Sequence, residues 1–255
     1  MAIVKALLFT VFISLSLAAT GKWWEEQQYT EWSASQVETI LNNSAWVGLV
    51  GASPAKRLGL SVAVPSYYQI RILTARPVRE GFLRMLSLGM PREVGGTEES
   101  HPDVTENYKK LLQEFLRSQA SDAMLGTGER PIILAVTLKR AFFESRDSVL
   151  RDMTAPPLYR EVAGADQLSD LDFSRVTAET SLGTSSGKKV AILSFVPPGP
   201  DRLGAKLYFA RALPDGTPLI AAKDKELVFE TCLNGSRIKT KFDLKRMAYK
   251  GKPEF

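Results

Sequence analysis

The chain has 255 residues and a formal net charge of +5, with 44% hydrophobic and 24% charged residues. These values exclude a disordered chain, a collagen-like repeat and a polytopic membrane protein. One cysteine and one histidine exclude a disulfide framework within the monomer, a multi-Cys zinc site and most histidine-based chemistry.

The N-terminus carries an address. Met1 to Lys5 hold one positive charge, Ala6 to Ala19 form an uncharged, mostly apolar run, and Ala18, Ala19, Thr20 and Gly21 form a small-residue exit. This order predicts a secretory signal peptide over residues 1–20, with an uncleaved anchor as the alternative. The run is shorter than the roughly 20 residues a spanning helix needs. Export to an oxidising space fits the scarcity of cysteine, and Cys232 is expected to be inert. Residues 200–255 carry 12 Lys and Arg against 7 Asp and Glu. This local excess suits an anionic partner, such as phospholipid or a polyanionic envelope polymer.

All four tryptophans lie between residues 23 and 46. Ser33 reads as a helix N-cap, Gln36 completes a capping box, and Trp32 and Val37 form a hydrophobic staple. Val37, Ile40 and Leu41 make the apolar face, and Asn42-Asn43 ends the helix. Tyr67 to Thr74 predicts a strand, and Pro77 opens a helix faced by Val78, Phe82, Met85 and Leu86. Residues 89–104, with His101, read as a loop. A second amphipathic helix carries Tyr108, Leu111, Leu112, Phe115 and Leu116. Pro131 to Leu138 predicts a central buried strand, and Phe142 to Met153 a third helix.

From Arg175 on, short strands are expected: Val176 to Leu182, Lys189 to Val196, Lys206 to Ala212, Glu226 to Leu233 and Arg237 to Leu244. Asn234-Gly235 is a two-residue hairpin signal. It sets Leu233 opposite Ser236, Thr231 opposite Ile238, Phe229 opposite Thr240 and Leu227 opposite Phe242. On the other face it pairs Glu230 with Lys239 and Cys232 with Arg237. The predicted class is α+β: a mostly antiparallel sheet with three to four helices packed on one face and a β-rich C-terminal part. Residues 21–255 form one domain, with a sub-lobe break possible in principle near residues 155–175.

Several motifs invite a chemical reading. Gly183-Thr184-Ser185-Ser186-Gly187 matches the nucleophile-elbow pattern, but a strand follows where a helix is required, and His101 precedes Ser185. Ser185 with Lys188, and Ser186 with Lys189, have the spacing of a serine–lysine dyad, but in a turn the lysines are expected to be solvated. The segment fails as a phosphate-binding loop. Asp170 and Asp172 supply too few oxygens for calcium. Asn42-Asn43-Ser44 and Asn234-Gly235-Ser236 are formal glycosylation sequons. No metal or cofactor is expected, and nucleic acid is disfavoured as a partner despite a sequence pI near 9.2.

Three segments together carry a resemblance: Trp32-Ser33 with Asn43-Ser44-Ala45-Trp46, Pro197 to Lys206 (PPGPDRLGAK), and Phe242 to Lys252 (FDLKRMAYKGK). This resembles a group of uncharacterised exported proteins of soil-type bacteria, in which the first pattern typically has proline where Ala45 stands. The resemblance implies a secreted or periplasmic protein and transfers no activity, ligand or catalytic residue.

The sequence thus points to an exported, non-catalytic binding or assembly module at the cell envelope. The alternatives are a carboxylate-dependent envelope hydrolase and a peripheral lipid-binding protein. The expected contact residues are Trp23, Trp24, Lys239 and Lys241, with Gly199, Arg202 and Gly204 of the proline–glycine loop. Another envelope protein is a further candidate partner.

Overall fold

The computed structural model describes residues 22–51, 66–88, 110, 114, 130–142, 158–161, 173–198, 203–233 and 236–255. The signal-peptide segment, the 89–104 loop, the stripe of the second amphipathic helix and Asp170 with Asp172 lie outside these residues.

The elements begin with α1 (Trp23–Glu26), a 3-10 turn (Tyr29–Glu31), α2 (Ala34–Asn42), β1 (Val47–Gly51), β2 (Ser66–Ile72), α3 (Arg76–Ser87), β3 (Ile132–Phe142) and β4 (Leu158–Glu161). They continue with α4 (Phe173–Glu179), β5 (Ser181–Thr184), β6 (Lys189–Val196), β7 (Ala205–Phe209), β8 (Glu226–Leu233), β9 (Ser236–Asp243), β10 (Ala248–Tyr249) and β11 (Lys252–Pro253).

The strand order is β1-β2-β3-β7-β6-β5-β8-β9, with β4 added beside β3 and every pair antiparallel. The sheet curls until its ends meet. A Cβ built on Gly48 of β1 would lie 2.3 Å from the Thr240 hydroxyl of β9, so the two outermost strands touch without a backbone ladder. The result is a nearly closed, barrel-like sheet of eight strands.

This corrects the α+β expectation. The core does not lie between a sheet face and a layer of helices; it lies inside the curl. β8 alternates between half-buried and buried residues along its whole length. Its buried set, Leu227, Phe229, Thr231 and Leu233, faces inward with Leu182, Ile238 and Phe242. From the far side, Ile70, Ile72, Leu134, Val136, Leu207 and Phe209 fill the same interior. Phe209 and Phe229 meet edge-to-face at 6.2 Å although three strand pairings separate them. An eight-stranded barrel has an interior just wide enough to be filled by side chains, so the sheet buries its own apolar face and the helices are left small roles.

A bulge turns the corner. Ile192 pairs with Phe209 and Ser194 with Tyr208, so Leu193 is the extra residue, and it is 51% exposed. The bulge shifts the inward phase of β6 from Val190 and Ile192 to Phe195, and it bends the strand between its two neighbours.

Two further corrections concern local elements. Residues 173–179 are helical, not the start of an alternating strand. Val176 is buried from the helix and Leu182 from β5, while Ala178 between them is exposed. The period of two therefore had two unrelated causes. Phe142 ends β3 rather than opening a helix; the rest of that expected helix lies outside the described residues.

Other readings hold. Ser33 Oγ accepts from Gln36 N at 3.3 Å, and Ser33 N donates to Gln36 Oε1 at 2.8 Å, completing the capping box. Trp32, Val37, Ile40 and Leu41 are buried, and α2 ends at Asn42. The β8–β9 register has Leu233 opposite Ser236 and Glu230 opposite Lys239, as the Asn-Gly turn requires. β3 is central, and residues 131–139 are buried on both faces, which explains why it reads as a continuous apolar run. β4 falls within residues 155–175 and pairs with β3.

Among the described residues, no helix is long and apolar enough to cross a membrane.

Candidate functional site: a polar patch on the outer face of the barrel

The inward residues of β2, β3 and β7 are apolar; their outward neighbours are not. On the outer face Arg71, Ala135 and Lys206 form one cross-strand row. Gln69 and Thr137 form the next, and Tyr67 with Lys139 the one beyond. Gly204 closes the middle row, since a Cβ there would lie 2.5 Å from Thr137 Cγ2. Adjacent strands are about 4.8 Å apart, so Arg71 and Lys206 stand roughly 10 Å apart across the small Ala135.

This patch is buried. Gln69, Arg71, Thr137, Lys139 and Lys206 retain between 1% and 7% of their surface. Polar groups at such depth are costly unless partnered. Part of the cost is met by α2. Arg71 Nε donates to Leu41 O at 2.6 Å, and Arg71 Nη2 donates to Asn42 Oδ1 at 3.0 Å. A guanidinium on the last carbonyls of a helix also complements its dipole. The guanidinium lies 6.0 Å from the Phe82 ring of α3. Gly81 lets α3 approach Ile40 and Leu41, where a Cβ would lie 3.1 Å from each. The α2–α3 pair is thereby seated over the Arg71 end of the patch.

Two polar atoms of the patch have no hydrogen-bond partner among the described residues: Gln69 Oε1 and Thr137 Oγ1. They belong to residues directly opposite each other on β2 and β3, yet they do not bond to one another. Thr137 Oγ1 can donate or accept, Gln69 Oε1 can only accept, and Arg71, Lys139 and Lys206 each make further interactions of their own.

The residues expected from sequence to form the contact surface are dispersed among three environments. Trp23 and Trp24 belong to a relay of edge-to-face rings. Trp32 meets Trp23 at 5.3 Å, Trp23 meets Trp24 at 5.5 Å, and Trp24 meets Trp46 at 6.0 Å. They are half-buried against the core and tie the N-terminal segment down. Lys239 and Lys241 lie on the outside of β9, each with an acid on β8. Lys239 Nζ is 2.7 Å from Glu230 Oε1 and Lys241 Nζ is 2.8 Å from Glu226 Oε2. Lys189 adds a second contact to Glu230 at 3.1 Å. Lys239 and then Lys189 hold the Glu230 carboxyl below its usual range. Only Gly204 adjoins the buried patch. Gly199 and Arg202 lie outside the described residues.

The patch residues had a signal that sequence reading passed over. Gln69 and Arg71 alternate with Ile70 and Ile72, and Thr137 and Lys139 alternate with Val136 and Leu138. Polar residues at every second position of otherwise apolar strands mark a face with its own chemistry.

The G-x-S-x-G segment is the β5–β6 turn, with Gly187 at φ +90°. Its hydroxyls are committed to structure. Ser185 Oγ accepts from Lys225 N and Glu226 N, at 3.3 and 3.4 Å. Ser186 Oγ lies 2.9 Å from Thr184 Oγ1, and its hydroxyl helps to hold the Asp224 carboxyl below its usual range. Lys188 Nζ donates to Pro218 O at 2.6 Å and is not beside a serine nucleophile. The turn is a dock for the 210–225 loop. Among the described residues, no group of three or more His, Cys, Asp or Glu could hold a metal ion.

Asp224 gives this dock a pH dependence. Burial raises its pKa, but the Ser186 hydroxyl, the Ala221 N–H and the nearby Lys188 and Lys223 outweigh it, so the net shift is downward. A carboxyl lowered on folding contributes stability above its unfolded pKa of about 3.9, and that contribution is lost as pH falls through the lower folded value. Asp224→Asn is expected to lower stability at pH 7 and to flatten the acid limb below about pH 4, read from denaturation midpoints across pH. An unchanged acid limb would contradict this role.

No protein family, curated protein or solved structure matches the chain.

Proposed function

We propose that the protein is an exported, non-catalytic binding module that takes an anionic ligand at the bacterial cell envelope. The observation that carries this reading is the buried row of Arg71, Ala135 and Lys206, with Lys139 two residues beyond Thr137 on the same outer face. Arg71, Lys139 and Lys206 concentrate positive charge on this face beside the interactions that they already make, and an anionic oxygen complements charge of that sign. The bacterial envelope location rests on the N-terminal segment 1–20 and on the resemblance carried by Trp32 to Trp46, Pro197 to Lys206 and Phe242 to Lys252. The interior of the barrel is taken by Phe209, Phe229 and their neighbours, so the reading rests on the outer face.

The test is thermal unfolding in sodium phosphate against sodium chloride at matched ionic strength. A bound ligand at 100 times its Kd adds about 2.7 kcal/mol. For a chain of this size that is a rise of roughly 5–10 °C in Tm. A saturating rise with phosphate supports the reading. A rise that is linear and unsaturated is general exclusion from the surface and would overturn it, as would no rise.

A further inference from the structure

We propose that Arg237, Lys239 and Lys241 guard the open edge of the barrel against pairing with a second copy of this chain. This stands apart from the anion-binding reading. The directions of the backbone groups at the seam define that edge. Ile72 N donates to Trp46 O, and Leu244 N donates to Lys225 O. In an antiparallel pair, residues bonded to the neighbouring strand alternate with residues that are not. The β1–β2 and β8–β9 registers carry both bonds forward without a shift. The N–H and C=O groups of Leu49 and Gly51 therefore point away from β2. Those of Arg237, Lys239 and Lys241 point away from β8. Among the described residues, no backbone hydrogen bond joins β1 to β9. The contact of Gly48 with Thr240 is made by buried, inward residues, so it closes the core and leaves the two edges unpaired with each other.

An unpaired edge is a template for a strand of another chain, and charged side chains along it, lysine above all, are a common protection. β1 (VGLVG) carries no charge, and its Leu49 is 56% exposed. Between the two edge strands, the cations come from β9, where Arg237, Lys239 and Lys241 are exposed on the outer face. Two copies joining their β9 edges about a two-fold axis must pair residues whose backbone faces outward, odd with odd. One register sets Lys239 opposite its own counterpart and Arg237 opposite Lys241. The register beside it sets Lys239 opposite Lys241 in both directions, and Arg237 opposite Asp243. In each, lysines come to about 5.5 Å between Cα atoms, and like charges directly opposite disfavour the pairing. Glu230 and Glu226 hold these lysines from β8. They lie one strand behind the edge and do not separate the opposed cations.

The experiment is sedimentation equilibrium of the full chain and three triple variants, with far-UV circular dichroism to establish folding. Wild type is expected to be monomeric. Arg237→Thr/Lys239→Thr/Lys241→Thr keeps residue types suited to a strand and removes the guard. Its dimer is expected to be at least about tenfold tighter than any association of wild type. Arg237→Thr/Lys239→Pro/Lys241→Thr has the same charge, but proline removes the Lys239 N–H that faces the edge and no bond to β8. It is expected to stay monomeric. Lys223→Thr/Lys245→Thr/Lys252→Thr removes the same charge from exposed positions off the edge and is also expected to stay monomeric. A β9 threonine variant no more associated than wild type would overturn the inference. So would equal association of the proline variant or of the off-edge control. If the β9 threonine variant unfolds, Lys239→Thr alone decides: tighter association than wild type supports the guard, and unchanged association overturns it.

Discussion

Replacing Trp46 with alanine is expected to cost about 3–5 kcal/mol, at the upper end for a single core truncation. The side chain is fully buried, and it joins three parts of the chain that are far apart in sequence. Its ring meets Trp24 edge-to-face at 6.0 Å. Its Nε1 donates to Glu254 O at 2.7 Å. Its main-chain oxygen accepts from Ile72 N at 3.0 Å, where β1 begins beside the end of β2. Glu254 in turn accepts the Arg76 N–H through Oε1 at 2.9 Å. That carboxylate serves as the N-terminal cap of α3, whose own N-cap residue, Ala75, provides no side-chain bond. Loss of the indole thus leaves a cavity and loosens the C-terminal segment that caps α3. Trp46→Phe keeps most of the ring and removes the N–H, so a smaller loss of about 1–3 kcal/mol is expected. Chemical denaturation of both variants checks this. A loss under about 1 kcal/mol for alanine, far below the usual cost of truncating a buried tryptophan, would mean that the tryptophan relay is peripheral.

Gly204→Ala is the second large effect. Gly204 has φ +93°, and its Cβ would lie 2.5 Å from Val136 O and from Thr137 Cγ2. The left-handed conformation costs an L-residue about 1–2 kcal/mol. Forcing a methyl against a backbone oxygen adds about 1–3 kcal/mol of overpacking. A total of roughly 2–5 kcal/mol follows. Gly187 is the internal control. It has φ +90° but nothing within 4 Å of its Cβ position, so Gly187→Ala is expected to show the conformational cost alone. Equal losses at the two positions, measured by denaturant midpoint, would contradict close packing of β7 on β3.

How far the fold could be read from the sequence varied with the range of the physics involved. The capping box at Ser33 and Gln36 and the β8–β9 register depend on residues within a few positions of each other, and both were legible. The closure of the sheet was not. It depends on Gly48 meeting Thr240 and on Phe209 reaching Phe229, contacts that no local period encodes. Apolar strands feeding a sheet interior look the same whether helices or the sheet's other half cover them. The helix at 173–179 was hidden for the opposite reason: a short helix and the strand after it placed Val176 and Leu182 at even spacing.

The site was less legible than the fold. Lysines 239 and 241 drew notice because charge is dense near the C-terminus, yet each is matched by a glutamate across the β8–β9 ladder. Such exposed pairs are worth about 0–1 kcal/mol each and leave little net field. The charges that stand out are Arg71, Lys139 and Lys206, cations in three separate and mostly apolar strands. Only the antiparallel order β2-β3-β7 brings them to one face. Gly204 entered both readings, first as part of a proline–glycine loop and then as the residue packed against Thr137.

The proposed function places anion binding at the outer face of β2, β3 and β7 and not at the basic ladder of β8 and β9. The most direct measurement is the phosphate-induced rise in Tm of Lys206→Met beside that of Lys241→Met, with far-UV circular dichroism to establish that both variants fold. Methionine keeps most of the lysine stem and removes the charge. Binding at the outer face requires that Lys206→Met lose the saturating rise and that Lys241→Met keep it at the wild-type value. Retention in Lys206→Met with loss in Lys241→Met would move the binding site to the C-terminal strands and contradict binding at the outer face.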